Sequence, residues 1–249
     1  MRKLVAVLAC RNQGSRLYGK PLQRLSVESG VRVIDQIVNT LSGLNAVDEV
    51  VLAISEGSDN AVYREIAEER GLKFVVGDET DVLSRLILGG DAAEASDLLR
   101  VTSESPFMFF EPLEELWESH QREDVDATFV DDLVDGCGFE IIRMSALRAS
   151  HERGLSKHRS ELCTLYIRES ADEFRINKPP VPPELVRPDL RLTVDNPEDL
   201  IVCRAVYAHL HRTAPRISVR EAVGFLDTRP DLVNLIAPFT EEGYRSMYL

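Results

Sequence analysis

The residues best equipped for chemistry gather in one stretch near the N-terminus, Cys10-Arg11-Asn12-Gln13-Gly14-Ser15-Arg16-Leu17-Tyr18-Gly19-Lys20-Pro21-Leu22. It carries three cations, Arg11, Arg16 and Lys20, and two glycines. Glycines let backbone N–H groups approach phosphate oxygens, and Arg and Lys neutralise those oxygens. The spacing is neither a P-loop nor a GxGxxG fingerprint, and a solvated polar loop with incidental charge is the competing reading. Two acids far along the chain could complete a site: Glu104, in Ser103-Glu104-Ser105-Pro106, and Asp195, directly before Asn196-Pro197. Two carboxylates facing a triphosphate make sense chiefly as a magnesium site, because Mg²⁺ takes one or two carboxylates plus phosphate oxygens and water. Taken singly, Asp195 reads as a capping acid and Glu104 as a turn residue.

These residues meet only if particular elements bring them together. Leu4-Ala9 reads as a strand, as do Glu49-Ile54, Lys73-Val76 and Asp97-Thr102. Between them, Ile34, Ile37, Val38 and Leu41 keep the spacing of an amphipathic helix. Ser58 to Gly71 reads as a capped helix closed by glycine. Asp81-Ala95 also looks helical, although Gly89-Gly90 should weaken or break it, and Pro112-Gln121 is a further helix. In the second half, strands are expected at Ala127-Val130, Phe139-Arg143, Phe174-Asn177 and Arg191-Val194, with helices at Ser145-Arg153 and Glu161-Glu169. The proline run 179–183 must be extended loop. Asn196-Pro197-Glu198-Asp199 opens a helix strongly, and Ser218-Val219-Arg220-Glu221 is a capping box for a last helix. Strand–helix alternation predicts an α/β fold with a mainly parallel sheet. Ligands then sit outside the carboxyl ends of the strands, where the basic loop, Glu104 and Asp195 all fall.

The chain has 249 residues, 44% hydrophobic and 29% charged, enough to bury a core and too apolar for disorder. One domain is expected, at most two. The formal net charge of -13 repels duplex nucleic acid, so no nucleic-acid polymer is expected as partner. No apolar run approaches the ~18 residues of a membrane span. The four cysteines form neither a CxxC nor a zinc-spaced cluster, consistent with buried thiols in a reducing cytoplasm. Residues 4–10 read as a buried first strand rather than the core of a secretion signal. His209 and His211, two apart on a helix, lie on different faces and cannot pair on a metal.

In combination these segments resemble the sugar-activating cytidylyltransferases. The likeness is greatest to the spore-coat polysaccharide cytidylyltransferase group; the acylneuraminate and 3-deoxy-manno-octulosonate enzymes are more distant. Val7 to Leu22 resembles the family's signature loop, a Gly-Ser-Arg-Leu turn followed by Gly-Lys-Pro-Leu. Gly77 to Arg85 resembles a Gly-x-x-x-Asp-Val-Leu-x-Arg segment, and Leu99 to Pro106 an Arg-x-Thr-x-Asp-x-Pro segment. Gly138-Phe139-Glu140-Ile141 resembles a short glycine-to-glutamate run. His158-Arg159-Ser160-Glu161-Leu162-Cys163-Thr164 is similar to a His-Arg-Glu-x-x-Thr segment with Ser160 inserted. Leu192 to Leu200 is similar to the family's Thr-x-Asp-x-x-Glu-Asp-Leu close. Together they span residues 1 to about 240. Glu104 stands where the family carries a metal-binding Asp, Ser103 where a glycine is usual, and Tyr18 where proline or another apolar residue is common.

The resemblance implies a Rossmann-like nucleotide-diphospho-sugar transferase fold of GT-A type, with a mainly parallel (mixed) central sheet flanked by helices. It implies a magnesium-dependent nucleotidyltransferase, CTP-dependent, that releases pyrophosphate as it passes CMP to a sugar or sugar acid for surface polysaccharide or glycoconjugate synthesis. Its partners would be a nucleoside triphosphate and a small acidic sugar or sugar phosphate, in a cytoplasmic homodimer. Arg16 and Lys20 would act on the triphosphate. Ala9, Arg11, Asn12, Gly14, Ser15, Asp81 and Arg85 would complete the nucleotide site. Glu140, His158 and Arg159 would bind the acceptor, and Glu104 and Asp195 the Mg²⁺. Two alternatives stay open: a binding or regulatory protein of the same fold that has lost turnover, and a GT-A glycosyltransferase. The latter wants an Asp-x-Asp after a strand, whereas Asp124-Val125-Asp126 precedes one.

Overall fold

The first strand, β1 (Leu4–Cys10), is almost wholly buried, because both of its faces are covered. In the computed structural model, which describes residues 2–14 and 16–247 (the last seven by their backbone), six further strands join it. They are β2 (Glu49–Ser55), β3 (Lys73–Gly77), β4 (Asp97–Arg100), β5 (Ala127–Val130), β6 (Phe139–Arg143) and β7 (Ile176–Asn177). Their order is β3-β2-β1-β4-β6-β5-β7, so both halves of the chain share one sheet. All neighbours pair in parallel except β6, which runs antiparallel to β4 and to β5. The sheet is therefore mixed and mainly parallel. After β3 the chain crosses β1 to place β4 on its other side, and this reversal opens a crevice at the carboxyl ends of β1 and β4.

Alternate side chains of β1 feed two cores, as the two-residue period requires. Leu4, Ala6 and Leu8 pack on one face with α1 (Val33–Ser42), α2 (Ala61–Arg70) and α4 (Leu113–Arg122). α7 (Pro197–Leu210), α8 (Val219–Asp227) and α9 (Pro230–Met247) complete that layer. Val5 and Val7 pack on the other face with α3 (Val82–Ala92), α5 (Met144–Arg153) and α6 (Leu165–Glu169).

Several expectations are corrected. Gly89-Gly90 does not break α3, which runs through both. A Cβ on Gly89 would lie 2.6 Å from Cγ1 of the fully buried Val7, so the glycine lets α3 press against the sheet. A Cβ on Gly90 would meet only the far end of Met144, also at 2.6 Å. Gly89→Ala is expected to destabilise by about 1–3 kcal/mol, because the stiff β-branched Val7 cannot yield. Gly90→Ala is expected to stay within about 1 kcal/mol, since a flexible methionine can move and helix propensity improves. Urea unfolding midpoints of the two variants check the contrast, and equal losses would contradict it.

Residues 191–194 form no strand. Arg191 makes a single bridge to Asp135, and hydrogen bonding to the β4–α4 loop takes over from there. The expected helix at Glu161-Glu169 shrinks to α6, and the strand at Phe174-Asn177 to two residues. Ser58-Asn60 is a 3-10 turn before α2. Ser218 sits at the start of α8 without a side-chain cap hydrogen bond, and α8 is not the last helix, because α9 follows it despite Pro238. The Asn196 capping box does form, with Asp199 accepting from the Asn196 amide at 2.8 Å. Among the described residues no helix is long and apolar enough to cross a membrane. All four cysteines are free and buried.

Candidate active site

The loop after β1 folds back on itself and is fixed at its root. The Gly19 amide donates to the Asn12 carbonyl at 2.9 Å. The Asn12 amide donates to the Asn60 side chain at 2.8 Å, and its side-chain oxygen accepts from the Tyr63 hydroxyl at 2.9 Å. This anchoring presents Arg11, Arg16 and Lys20 to a cleft of about 310 Å³ at the carboxyl ends of β1 and β4.

Two other segments meet the loop there. After β4 the chain turns through Ser103, whose hydroxyl lies 2.7 Å from the Ala9 carbonyl and 3.2 Å from the Glu104 carboxylate. The Val194 amide donates to the Glu104 carbonyl at 3.0 Å, which brings Asp195 alongside. Asp195 is surrounded by cations: Lys20 Nζ at 2.6 Å, Arg191 Nη2 at 2.8 Å and Arg16 Nη2 at 3.8 Å. Burial pushes the Asp195 carboxyl up, but Lys20 first and then Arg191 and Arg16 outweigh it, so the group is held below the usual range. Glu104 is shifted the other way, first by burial and next by the neighbouring charge of Asp195, with Lys20 compensating only in part.

No cation among the described residues lies at ion-pair distance from the Glu104 carboxyl, which burial and Asp195 make harder to ionise. The unmet demand is for positive charge beside two oxygen ligands, which suits a hard divalent cation. No group of three or more His, Cys, Asp and Glu forms a metal cage among the described residues. A cation here would therefore need oxygens from a bound polyphosphate, which is how Mg²⁺ is usually held.

The structure brings Ala9, Arg11, Arg16, Lys20, Arg85, Glu104, Glu140 and Asp195 to this one cleft. Arg11 is paired there with Glu161. Arg85 is buried, and its Nη1 donates to the carbonyls of Asp78 and Glu79 at 2.6 and 2.9 Å. Burial first, and Arg11 next, lower its pKa, and its buried Nε has no acceptor among the described residues.

Other candidates lie elsewhere. Asn12 and Gly14 do not line the cleft, since Asn12 serves the loop's anchor and Gly14 packs where an added Cβ would touch the Leu17 carbonyl at 2.6 Å. Ser15 lies outside the described residues. Asp81 caps α3 through the Ser84 amide at 2.8 Å and pairs with His151 at 2.8 Å, away from the cleft lining. His158 is buried with both ring nitrogens engaged, by the Leu155 amide at 2.7 Å and Glu169 at 2.8 Å. Arg159 donates to the His151 carbonyl at 2.9 Å. Neither His158 nor Arg159 is among the residues that line the cleft, their side chains being engaged by Glu169 and the His151 carbonyl. Asp124 and Asp126 lie before β5, at the sheet end remote from the cleft, and Arg143 pairs with both of them. That position removes the Asp-x-Asp basis for a glycosyltransferase.

Sequence reasoning missed Arg100, Asp131, Thr164 and Arg168, all of which line the cleft on its β6 side. Arg100 is the arginine of the Arg-x-Thr-x-Asp-x-Pro likeness over Leu99 to Pro106, a segment from which only Glu104 is given a role by the sequence reading. Arg168 sits four residues beyond Thr164, a spacing that puts both on one helical face.

Comparison with known proteins adds findings of three kinds. A family model described as "Cytidylyltransferase" matches residues 5–212. The chain is 25% identical over 236 residues to the Bacillus subtilis spore coat polysaccharide biosynthesis protein SpsF, covering 93% of this chain and 97% of that one. It is 22% identical over 246 residues to an uncharacterized protein of Methanocaldococcus jannaschii, covering 98% and 99%. Among solved structures, a cytidylyltransferase from Leptospira borgpetersenii superposes with a TM-score of 0.83 at 17% identity, over 94% of this chain and 97% of that one. CMP:2-keto-3-deoxy-manno-octonic acid synthetase complexed with CTP superposes with a TM-score of 0.61 at 17% identity, over 83% and 99%.

Proposed function

The chain belongs to the cytidylyltransferase family and is a nucleotidyltransferase, and from that premise we propose that it transfers CMP from CTP to a sugar or sugar acid, releasing pyrophosphate, in the synthesis of a surface polysaccharide or glycoconjugate. The likeness to a spore coat polysaccharide biosynthesis protein supports the destination, and the likeness to a synthetase complexed with CTP supports the nucleotide. The observation that carries the reading is the meeting of Lys20, Arg16, Asp195 and Glu104 in one cleft.

In this reading an acceptor hydroxyl oxygen attacks the α-phosphorus of CTP. The bond from the α-phosphorus to the bridging oxygen breaks, pyrophosphate leaves with that electron pair, and the hydroxyl proton passes to water. Such transfer needs positioning and charge neutralisation more than covalent help. Arg16 and Lys20 bind the triphosphate, and Lys20 exchanges its Asp195 partner for phosphate oxygens as the nucleotide enters. Arg11 supports the same oxygens. Arg85 lines the nucleoside end, its buried Nε without an acceptor among the described residues. Glu104 and Asp195 are the ligands that would hold Mg²⁺ against the phosphates. Magnesium bound there would neutralise phosphate oxygens and steady the charge that builds on the leaving group. Glu104 replaces the family's Asp, keeping the charge while extending it by one methylene.

A pyrophosphate-release screen of CTP, UTP, GTP and ATP against a panel of acidic sugars tests the reading. CTP is expected to lead by ~10-fold or more, the discrimination that a site hydrogen-bonding its ligand readily gives. Release led by another nucleotide, or by none, would overturn it.

A further inference from the structure

Six cations and six carboxylates line the cleft among the described residues, and they are unevenly distributed. On the β1 side, Arg11, Arg16, Lys20 and Arg85 face Glu104, Asp195 and Asp135, the last two sharing Arg191. On the β6 side, Arg100 and Arg168 stand against Asp131 and Glu140, while the Glu161 carboxylate reaches back to Arg11. There each guanidinium is already committed. Arg168 makes a two-pronged pair with Asp131 at 2.7 and 3.0 Å, reaches Glu140 at 2.8 Å and donates its Nε to the Thr164 hydroxyl at 3.2 Å. Its guanidinium also stacks 3.8 Å from the centre of the Phe129 ring. Arg100 gives Nη1 to Glu140 at 2.8 Å and Nη2 to the Glu161 carbonyl at 2.7 Å. Glu140 thus accepts from Arg100, Arg168 and Thr164 together, the last at 2.7 Å. Burial raises its carboxyl, but Arg100 and then Arg168 outweigh burial and keep it ionised.

A carboxylate or phosphate placed on this side would have to break one of these pairs and would confront the carboxylate left behind. A hydroxyl needs no such exchange, because carboxylate oxygens accept more than one hydrogen bond and a hydroxyl both donates and accepts. We propose that the Arg100–Glu140–Arg168–Asp131 lattice reads an uncharged, hydroxyl-bearing end of the acceptor, and that Glu140 excludes acceptors that carry an anion at that end. This rests on the cytidylyl-transfer reading above. Any negative charge on the acceptor then lies beside its reacting hydroxyl, within reach of Lys20 and Arg16. A 2-keto-3-deoxy sugar acid meets this condition, since its carboxylate is attached to the carbon bearing the reacting hydroxyl. A sugar phosphorylated at its far end does not.

The test uses the full-length protein with CTP and a matched pair, a 2-keto-3-deoxy sugar acid and its terminal phosphate ester. Pyrophosphate release is followed as kcat and KM for each. Calorimetric binding of each to the protein loaded with a CTP analogue that cannot be cleaved gives a second readout. The wild-type protein is expected to favour the unphosphorylated acid by ~10-fold or more, mostly through KM, as like-charge juxtaposition disfavours the ester. Glu140→Gln removes the one carboxylate that Arg100 and Arg168 share, while Arg168 keeps Asp131 and Arg100 keeps the Glu161 carbonyl; it is expected to close most of that gap by lowering KM for the ester. Asp131→Asn frees one fork of Arg168 and is expected to act in the same direction, which keeps the test intact if Glu140→Gln fails to fold. A wild-type preference for the ester, or a folded variant with the preference unchanged, would overturn the proposal while leaving cytidylyl transfer standing. Absence of pyrophosphate release with every nucleotide and acceptor would overturn both.

Discussion

Asp195→Asn is expected to lower magnesium-dependent pyrophosphate release by ~10²-fold or more, the usual scale for losing one charge-stabilising group in a transferase site. Asparagine keeps the shape of aspartate and can still accept a hydrogen bond, so the loss is one of charge. The fold should tolerate it, because Arg191 retains Asp135 at 2.8 Å and Asp199 at 3.2 Å. KM for CTP should change little, since Lys20 and Arg16 remain to bind phosphate; the loss should fall on kcat. Glu104→Gln is expected to lose a similar factor in turnover, with stability equal to or above that of the parent. Burial and Asp195 raise the Glu104 carboxyl in the folded protein. A raised carboxyl favours folding below its unfolded pKa and loses that contribution as pH rises through the folded value. Above its folded pKa the Glu104 charge is therefore a burden, and there Glu104→Gln should unfold at equal or higher urea concentration than the parent. That advantage should vanish below the ordinary carboxylate range. Near-normal turnover in either variant would remove that residue from the metal site.

Arg191→Ala is expected to be the most damaging change to the fold. The Arg191 side chain is buried and sits among three carboxylates, Asp135, Asp195 and Asp199, with Nη1 also donating to the Phe239 carbonyl at 3.1 Å. Asp199 cannot relax, because it accepts from the amides of Asp195 and Asn196 at 3.0 and 2.8 Å. Removing the guanidinium leaves three negative charges facing one another in low dielectric, at a cost of about 3–5 kcal/mol. For a domain of this size that corresponds to a Tm lower by roughly 6–20 °C. Lysine should rescue only part of this, since a point charge cannot replace three separately directed donors. Thermal unfolding of Arg191→Ala and Arg191→Lys checks both statements. A Tm within about 2 °C of the parent for the alanine variant would show that these carboxylates do not depend on Arg191.

What could be read from the sequence was set by how local each signal is. β1, α1, β2 and α2 are legible because their apolar spacing declares them within a few residues. Arg191-Val194 looked like a strand for the same reason, but its apolar residues serve an extended segment held by Asp135 and Glu104 rather than by a ladder. Gly89-Gly90 misled because helix propensity is a local property, whereas their use is contact with Val7 and Met144 from other elements. That the loop cations, Glu104 and Asp195 share one cleft is legible in the sequence, because each follows a strand or precedes a capped helix. His158 and Arg159 were chosen over Arg100 and Arg168 for want of any signal telling which side chains the fold consumes. His158 is used up by a 3-10 turn and Glu169, and nothing in its neighbours' identities announces that. Asp81 reads equally as a cap or as a ligand, and its cap bond to Ser84 appears only in three dimensions.

Crystals grown with CTP and Mn²⁺, with diffraction recorded at the manganese absorption edge, give the most direct test of a shared cation. The expected result is one anomalous peak about 2.1 Å from a carboxylate oxygen of Glu104 and another of Asp195, the distance hard divalent cations favour. The triphosphate should lie against that peak and against Lys20. A peak bound to neither carboxylate, or a triphosphate lying outside the cleft at the ends of β1 and β4, would contradict the site.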